Sequence, residues 1–139
     1  MWSRAVIGSA CLAVALSGCS LTPSSTASSG GFTGQAARVA TTLNTLASDA
    51  SSANGADICK TVLDSRLRAT LNKLGDCAKL IDNQLKTVDD FTLTVKKVNV
   101  KGSTATASVQ TVRYRVKVIQ TVTLKLESGA WRLASASAV

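Results

Sequence analysis

The sequence predicts one α+β domain, with helices first and a curved four-stranded antiparallel sheet second, the helices packed on one face of the sheet. Three observations carry that reading. Apolar residues recur at helical spacing between positions 35 and 85, the period falls to two with β-branched residues from position 91 onward, and short polar or Gly-bearing stretches divide both halves. With 139 residues, 45 % hydrophobic, 9 Gly and a single Pro, the chain holds at most one small domain. The same composition excludes collagen and a highly charged disordered chain, and no run of 18 apolar residues offers a full transmembrane span.

Residues 1–18 read as an export signal: Arg4, the apolar stretch Ala5 to Leu16, then Leu16-Ser17-Gly18-Cys19. As a helix the apolar stretch covers about 18 Å, short of the roughly 30 Å hydrocarbon core, so a permanent membrane helix is the weaker reading. Residues 16–19 resemble the lipobox of bacterial lipoproteins, in which a signal peptidase cuts before a Cys whose thiol carries a diacylglycerol. The resemblance makes Cys19 the lipidated first residue of the mature chain, held by about 0.8 kcal/mol per buried CH2 of its acyl chains. An ordinary secretory signal that happens to contain a Cys is the bland alternative. The expected address is the extracytoplasmic face of a cell membrane, or the outer membrane where the host has two, because Ser20 and not Asp follows the Cys.

From Cys19 to residue 34 the chain is Ser-, Thr- and Gly-rich, and Ser20 to Gly31 carries no charge and little to bury, so 19–34 reads as the lipidated Cys and a flexible tether. The folded domain is expected over 35–139. Its first helix starts at Gln35, with Ala36, Val39, Ala40, Leu43, Leu46, Ala47 and Ala50 on one stripe, and ends in Ser51-Ser52-Ala53-Asn54-Gly55. A second stripe runs through Ile58, Val62, Leu63, Leu67, Leu71 and Leu74 to Gly75. A third follows the N-cap candidate Asp76 and carries Cys77, Leu80, Ile81 and Leu85.

Of four Cys, Cys11 leaves with the signal and Cys19 is acylated, which leaves Cys59 and Cys77. Outside the cytoplasm these two are expected to be bridged; in a reducing compartment the same pair would point to redox chemistry or a metal. A bridge forbids one straight helix, since 18 residues at 1.5 Å each separate the two Cys by about 27 Å and a disulfide needs Cα atoms within about 7 Å. A break is therefore expected at Leu63 to Arg66, where Asp64 or Ser65 offers a cap for a new helix.

In the second half Phe91, Leu93 and Val95 alternate with polar residues, and Val98 and Val100 continue in the opposite phase, which predicts a bulge or bend at Lys96-Lys97. After the turn Lys101-Gly102-Ser103, Ala105, Ala107 and Val109 alternate. The pattern slips again before Val112, Tyr114, Val116 and Val118, then runs through Val122, Leu124 and Leu126 into the turn Glu127-Ser128-Gly129. Trp131 and Leu133 share one face of the last strand. Four strands with short turns make a meander, although no Gly or Asn marks the turn between Thr111 and Lys117.

The arrangement resembles the nuclear transport factor 2-like superfamily, whose bent sheet wraps around helices as a cone. The likeness is carried by the paired Cys59 and Cys77, the Val-x-Gly-x-Thr-Ala-Thr-Ala pattern from Val100 to Ala107, and the ending Thr121-Val122-Thr123-Leu124 with Gly129-Ala130-Trp131-Arg132-Leu133. Small lipoproteins of this type, frequent in actinobacteria, share the order of lipobox, tether, helices and four strands. Enzymes of the superfamily, such as ketosteroid isomerases and scytalone dehydratase, use Asp, His or Tyr inside the cone. Here there is no His, and from residue 91 on the titratable candidates reduce to Glu127 and the single Tyr, Tyr114. A general acid and base pair has no evident second member, no Ser-His-Asp arrangement is available, and two Cys without His make a poor metal set. The seven Asp of the first half fall at helix ends and exposed positions, where capping is the expected role. No enzyme activity, metal or cofactor is expected.

Charge is unevenly placed. Residues 35–90 hold seven cations and seven Asp, whereas residues 91–139 hold eight cations against Glu127, a balance of +7. Arg113, Arg115 and Lys117 alternate with apolar residues, so on one strand they would share a face for an anionic partner: phospholipid head groups, an acidic wall polymer or an acidic envelope protein. The plainer reading is a solvated face that discourages strand pairing. Nucleic acid is disfavoured by the exported address. Trp131 and Phe91 either line a pocket for an apolar ligand or complete the core. The expected function is a lipid-anchored, non-enzymatic binding or interaction module. The alternatives are a carrier or sensor of a small apolar ligand in the cone, or a pocket enzyme using Tyr114 or Glu127 if either points inward.

Overall fold

The computed structural model describes residues 31–88 and 91–138, with backbone only for Arg113 and Ala138. The export signal, Cys19, and the tether up to residue 30 lie outside the described residues, as do Asp89 and Asp90. Helix α1 spans Gly34–Ser51, α2 is the single turn Gly55–Asp57, a π-helical turn covers Ile58–Val62, and α3 (Ser65–Leu74) and α4 (Cys77–Leu85) follow. The strands are β1 Thr92–Lys101, β2 Thr104–Arg113, β3 Val116–Glu127 and β4 Ala130–Ala138, all antiparallel in the order β1-β2-β3-β4. The expected meander is therefore the observed one.

Along α1 the apolar stripe does what its period demands, and Val39, Ala40 and Leu43 are wholly buried. The helix is pinned to the far end of the sheet: Trp131 Nε1 donates to Gln35 Oε1 at 2.8 Å, and Thr42 Oγ1 donates to the Trp131 carbonyl at 3.2 Å. Phe32, within the stretch read as tether, already packs against the core.

The second stripe is broken at the expected place. Leu63 is extended (φ −77°, ψ 145°), and the Asp64 amide donates to the Leu133 carbonyl at 2.9 Å, so the chain touches the free edge of β4. Asp64 then caps α3 by accepting from the Leu67 amide at 2.7 Å. The turn back brings Cys59 and Cys77 together in a disulfide with Cα atoms 6.2 Å apart. Asp76 caps α4 through the Lys79 amide. Leu74, placed on the apolar stripe by its spacing, is instead 74 % exposed. Helix α3 lies along an edge and buries no residue fully; Leu67 and Leu71 reach the core, and the last turn has nothing to pack against.

Each hairpin closes with two residues. Gly102 takes a left-handed φ of 59° in the first and Gly129 one of 79° in the third, as two-residue turns require. In the middle hairpin Tyr114 (φ 49°) and Arg115 (φ 64°) both adopt left-handed backbone without Gly or Asn, which is why the sequence left this turn unmarked. The expected bulge in β1 is present between Val95 and Lys97, and a second lets Thr123 pair with Ser135 while Leu124 pairs with Leu133. One sheet face, with Val95, Ala105, Ala107, Val109, Val122, Leu124, Trp131 and Leu133, is buried under the helices. The other face is mostly polar, with Ile119 an exposed apolar exception.

Candidate functional site

The cone is solid at one end and unfinished at the other. Near the β3–β4 turn Trp131 is 2 % exposed, with Leu43 and Leu124 fully buried, so the indole completes the core and its N–H is satisfied by Gln35. At the opposite end a cleft of about 240 Å³ opens where the end of α1, the end of α4 and the start of β1 meet, with Ala50, Leu85, Val88 and Phe91 among its walls. Of the two aromatic residues expected to line a pocket, Phe91 does so and Trp131 does not.

Two buried polar atoms belong to this end of the molecule and have no hydrogen-bond partner among the described residues: Asp49 Oδ2 and Thr111 Oγ1. Asp49 precedes Ala50 of the cleft wall; Thr111 pairs across the ladder with Leu93, two residues on from Phe91. Sequence reasoning assigned all seven Asp to caps or exposed positions. That holds for Asp64 and Asp76, and Asp57 and Asp82 bond Asn54 and the Gly55 amide. Among the described residues Asp49 is the exception, its Oδ2 buried without a partner, which its spacing along α1 does not reveal.

Neither residue named for a pocket enzyme points into the cone. Tyr114, 74 % exposed at the hairpin tip, donates its hydroxyl to the Thr87 carbonyl at 2.7 Å and ties the tip to the segment after α4. Glu127 lies at the end of β3, where Oε2 accepts from the Ser65 amide at 3.1 Å and its hydroxyl at 3.0 Å. Those two bonds, the backbone one first, hold its carboxyl below the ordinary value of 4.5.

The cationic trio does not form the face expected of it. Arg113 ends β2, Arg115 sits in the turn, and Lys117 begins β3 opposite Val112, so no single strand carries all three. The ladder instead lines up Lys101, Thr104, Lys125 and Arg132 as successive cross-strand partners on the outer face. Strand pairing creates that row, and no local pattern announces it. Among the described residues no group of three or more His, Cys, Asp or Glu converges on a metal position, and no helix is long and apolar enough to cross a membrane.

No family model matches the sequence, and no curated protein matches it. Solved structures do match in fold. A SEC-C motif-containing protein from Rhodopseudomonas palustris superposes with a TM-score of 0.58 at 18 % identity, over 70 % of this chain and 76 % of that one. A nuclear transport factor 2-like protein of unknown function from Silicibacter pomeroyi gives 0.55 at 12 % identity, over 76 % of this chain and 96 % of its own. Another of the same description from Shewanella baltica gives 0.52 at 13 % identity, over 73 % and 90 %. At these identities the likeness shows the fold, an α+β cone of the nuclear transport factor 2-like kind.

Proposed function

We propose that this protein is a lipid-anchored, non-enzymatic binding module on the extracytoplasmic face of a bacterial membrane, and that it takes a small ligand with both polar and apolar parts at the open end of its cone. The observation that supports a ligand is the pair of orphaned buried oxygens at the cleft end of the cone, Asp49 next in sequence to the lining residue Ala50 and Thr111 paired with Leu93 on the strand that Phe91 precedes. A buried polar atom without a partner costs about 1–3 kcal/mol, a large loss for a domain whose whole stability is of the order of 5–15 kcal/mol. A bound molecule that brings its own polar group relieves that cost. Thr111 can donate or accept and a carboxylate oxygen accepts, so a ligand with at least one donor fits, its polar part toward Ser51 and Thr92 and its apolar part toward Leu85, Val88 and Phe91.

The anchor rests on Cys19 and the lipobox before it, and the Cys59–Cys77 bridge suits an oxidising compartment. The membrane is then the standing partner, nucleic acid is not one, and no metal or cofactor is called for.

The test is extraction. Protein purified from native membranes with its acyl chains intact is denatured in organic solvent, and the released small molecules are compared by mass spectrometry with those from a Thr111→Val, Asp49→Asn variant. A compound present on the native chain and depleted on the variant supports the reading. A native chain that releases nothing specific overturns it.

A further inference from the structure

We propose that a groove outside the cone, between α3 and the outer face of β3 and β4, is a second binding site, for a small hydroxylated oxyanion bearing phosphate or carboxylate. The topology builds it. Val122 and Leu124 point into the core, so Thr123 and Lys125 point outward, and the Asp64–Leu133 hydrogen bond brings α3 in along the β4 edge so that Arg66, Leu67 and Thr70 face them. With Ser135, the unpaired Ala134 of the β4 bulge and the Asp64 carboxylate that caps α3, these residues enclose about 330 Å³, within the usual range of roughly 300–1,000 Å³ for small-molecule sites.

The chemistry of the walls selects the ligand. Six cations stand on α3, its approach and the adjoining strand ends: Lys60, Arg66, Arg68, Lys73, Lys125 and Arg132. Asp64, Glu127 and, beside Lys60 and Arg68, Asp76 oppose them, and each is engaged by a backbone amide, Asp64 by Leu67, Glu127 by Ser65 and Asp76 by Lys79. Arg132 is spent on the Lys60 and Thr61 carbonyls. Arg66 and Lys125 remain exposed on opposite walls. An Arg opposite a Lys offers a planar fork and a point charge to one oxyanion.

The hydroxyls specify the rest. Thr70 Oγ1 donates to the Arg66 carbonyl at 3.0 Å, so toward the groove it can only accept, and a ligand hydroxyl is the natural donor. Leu67, Ala134 and the aliphatic parts of the Thr side chains make much of the wall apolar, which suits the carbon skeleton of the ligand between its hydroxyl and its oxyanion. The site shares no residue with the cone cleft, so the two proposals stand or fall separately.

The experiment is a titration of the full-length ¹⁵N-labelled chain in detergent micelles, followed by amide shifts at constant ionic strength. The probes are glycerol 3-phosphate, inorganic phosphate and gluconate, with glycerol as the neutral control. Saturable shifts centred on Arg66, Leu67, Thr70, Thr123, Lys125 and Ser135 are expected with the hydroxylated anions and none with glycerol, and the stronger of glycerol 3-phosphate and gluconate tells phosphate from carboxylate. Inorganic phosphate, lacking the carbon-borne hydroxyls, should bind more weakly than glycerol 3-phosphate. The double variant Arg66→Gln, Lys125→Gln should lose at least about tenfold in affinity while its remaining amide spectrum is unchanged. Non-saturable shifts, shifts centred elsewhere, or undiminished binding by the double variant overturn the site; Thr111→Val should leave it unaffected.

Discussion

Thr111 places a hydroxyl on the apolar face of β2, 4 % exposed and without a partner for its oxygen among the described residues. Val has nearly the same shape and no desolvation cost, so Thr111→Val is expected to raise the stability of the ligand-free protein by about 1 kcal/mol in urea unfolding. A loss of stability instead would mean that the hydroxyl has a partner in solution. Arg115 shows a second local tension, since a side chain at φ 64° crowds the following carbonyl. Arg115→Gly should relieve it and gain about 0.5 kcal/mol, less than the full strain because Gly loses more backbone entropy on folding. An unchanged urea midpoint would show the turn to be relaxed already. Neither effect is visible in residue type alone: Thr is an ordinary strand residue and Arg an ordinary turn residue until the backbone around them is known.

Among the elements, the helical half depends on one covalent link and one carboxylate. Closing the Cys59–Cys77 loop contributes about 3 kcal/mol in the chain-entropy estimate, so Cys59→Ser with Cys77→Ser should lower the unfolding free energy by about that much. A drop under about 1 kcal/mol would show that the helices are already held by packing. Glu127 fastens the first turn of α3 to the end of β3 through Ser65. Its carboxyl is held below the ordinary 4.5, so this contribution is complete above that pH and disappears as the pH falls through the lowered value. The stability difference between the native chain and Glu127→Gln is therefore expected to be constant near neutrality and to shrink below about pH 4.5. A difference independent of pH would mean that Ser65 does not bond the carboxylate. Much of this half was legible, because caps, Gly75 and the incompatibility of a bridge with a straight helix are local constraints. Leu74 was misplaced because periodicity identifies an apolar stripe but not whether another element arrives to cover each turn of it.

For the whole molecule, anchoring and binding are separable. Cys19→Ser is expected to move the protein from the membrane fraction to the soluble fraction after a high-salt wash, because the acyl chains are its only proposed hydrophobic hold. Persistence in the membrane fraction would refute the anchor. The soluble variant should keep both the cone cleft and the outer groove, since Cys19 lies far in sequence from every residue of either, Asp49 being the first of them. The outer groove is a property of the assembled fold: Arg66 comes from a charge-balanced half and Lys125 from the basic half, and only the docking of α3 on the β4 edge brings them face to face.

By itself the sequence determined the element order, the break at Leu63 to Arg66, the Cys59–Cys77 pairing, the β1 bulge and the meander. The elements, caps and bulge follow from local spacing and capping, whereas the pairing follows by elimination once Cys11 and Cys19 are assigned to the signal and the anchor, and the break follows from that pairing. Tertiary structure alone decided which cations lie together, since cross-strand register and the Tyr114-Arg115 turn separate Arg113, Arg115 and Lys117 and align Lys101, Lys125 and Arg132. It also decided which polar atoms are left without partners. Side-chain alternation along one strand is a local property with period two, whereas cross-strand register depends on where each turn and bulge falls, and the contacts that tie helices to the sheet and to one another join residues 27 to 89 positions apart, which no local pattern encodes.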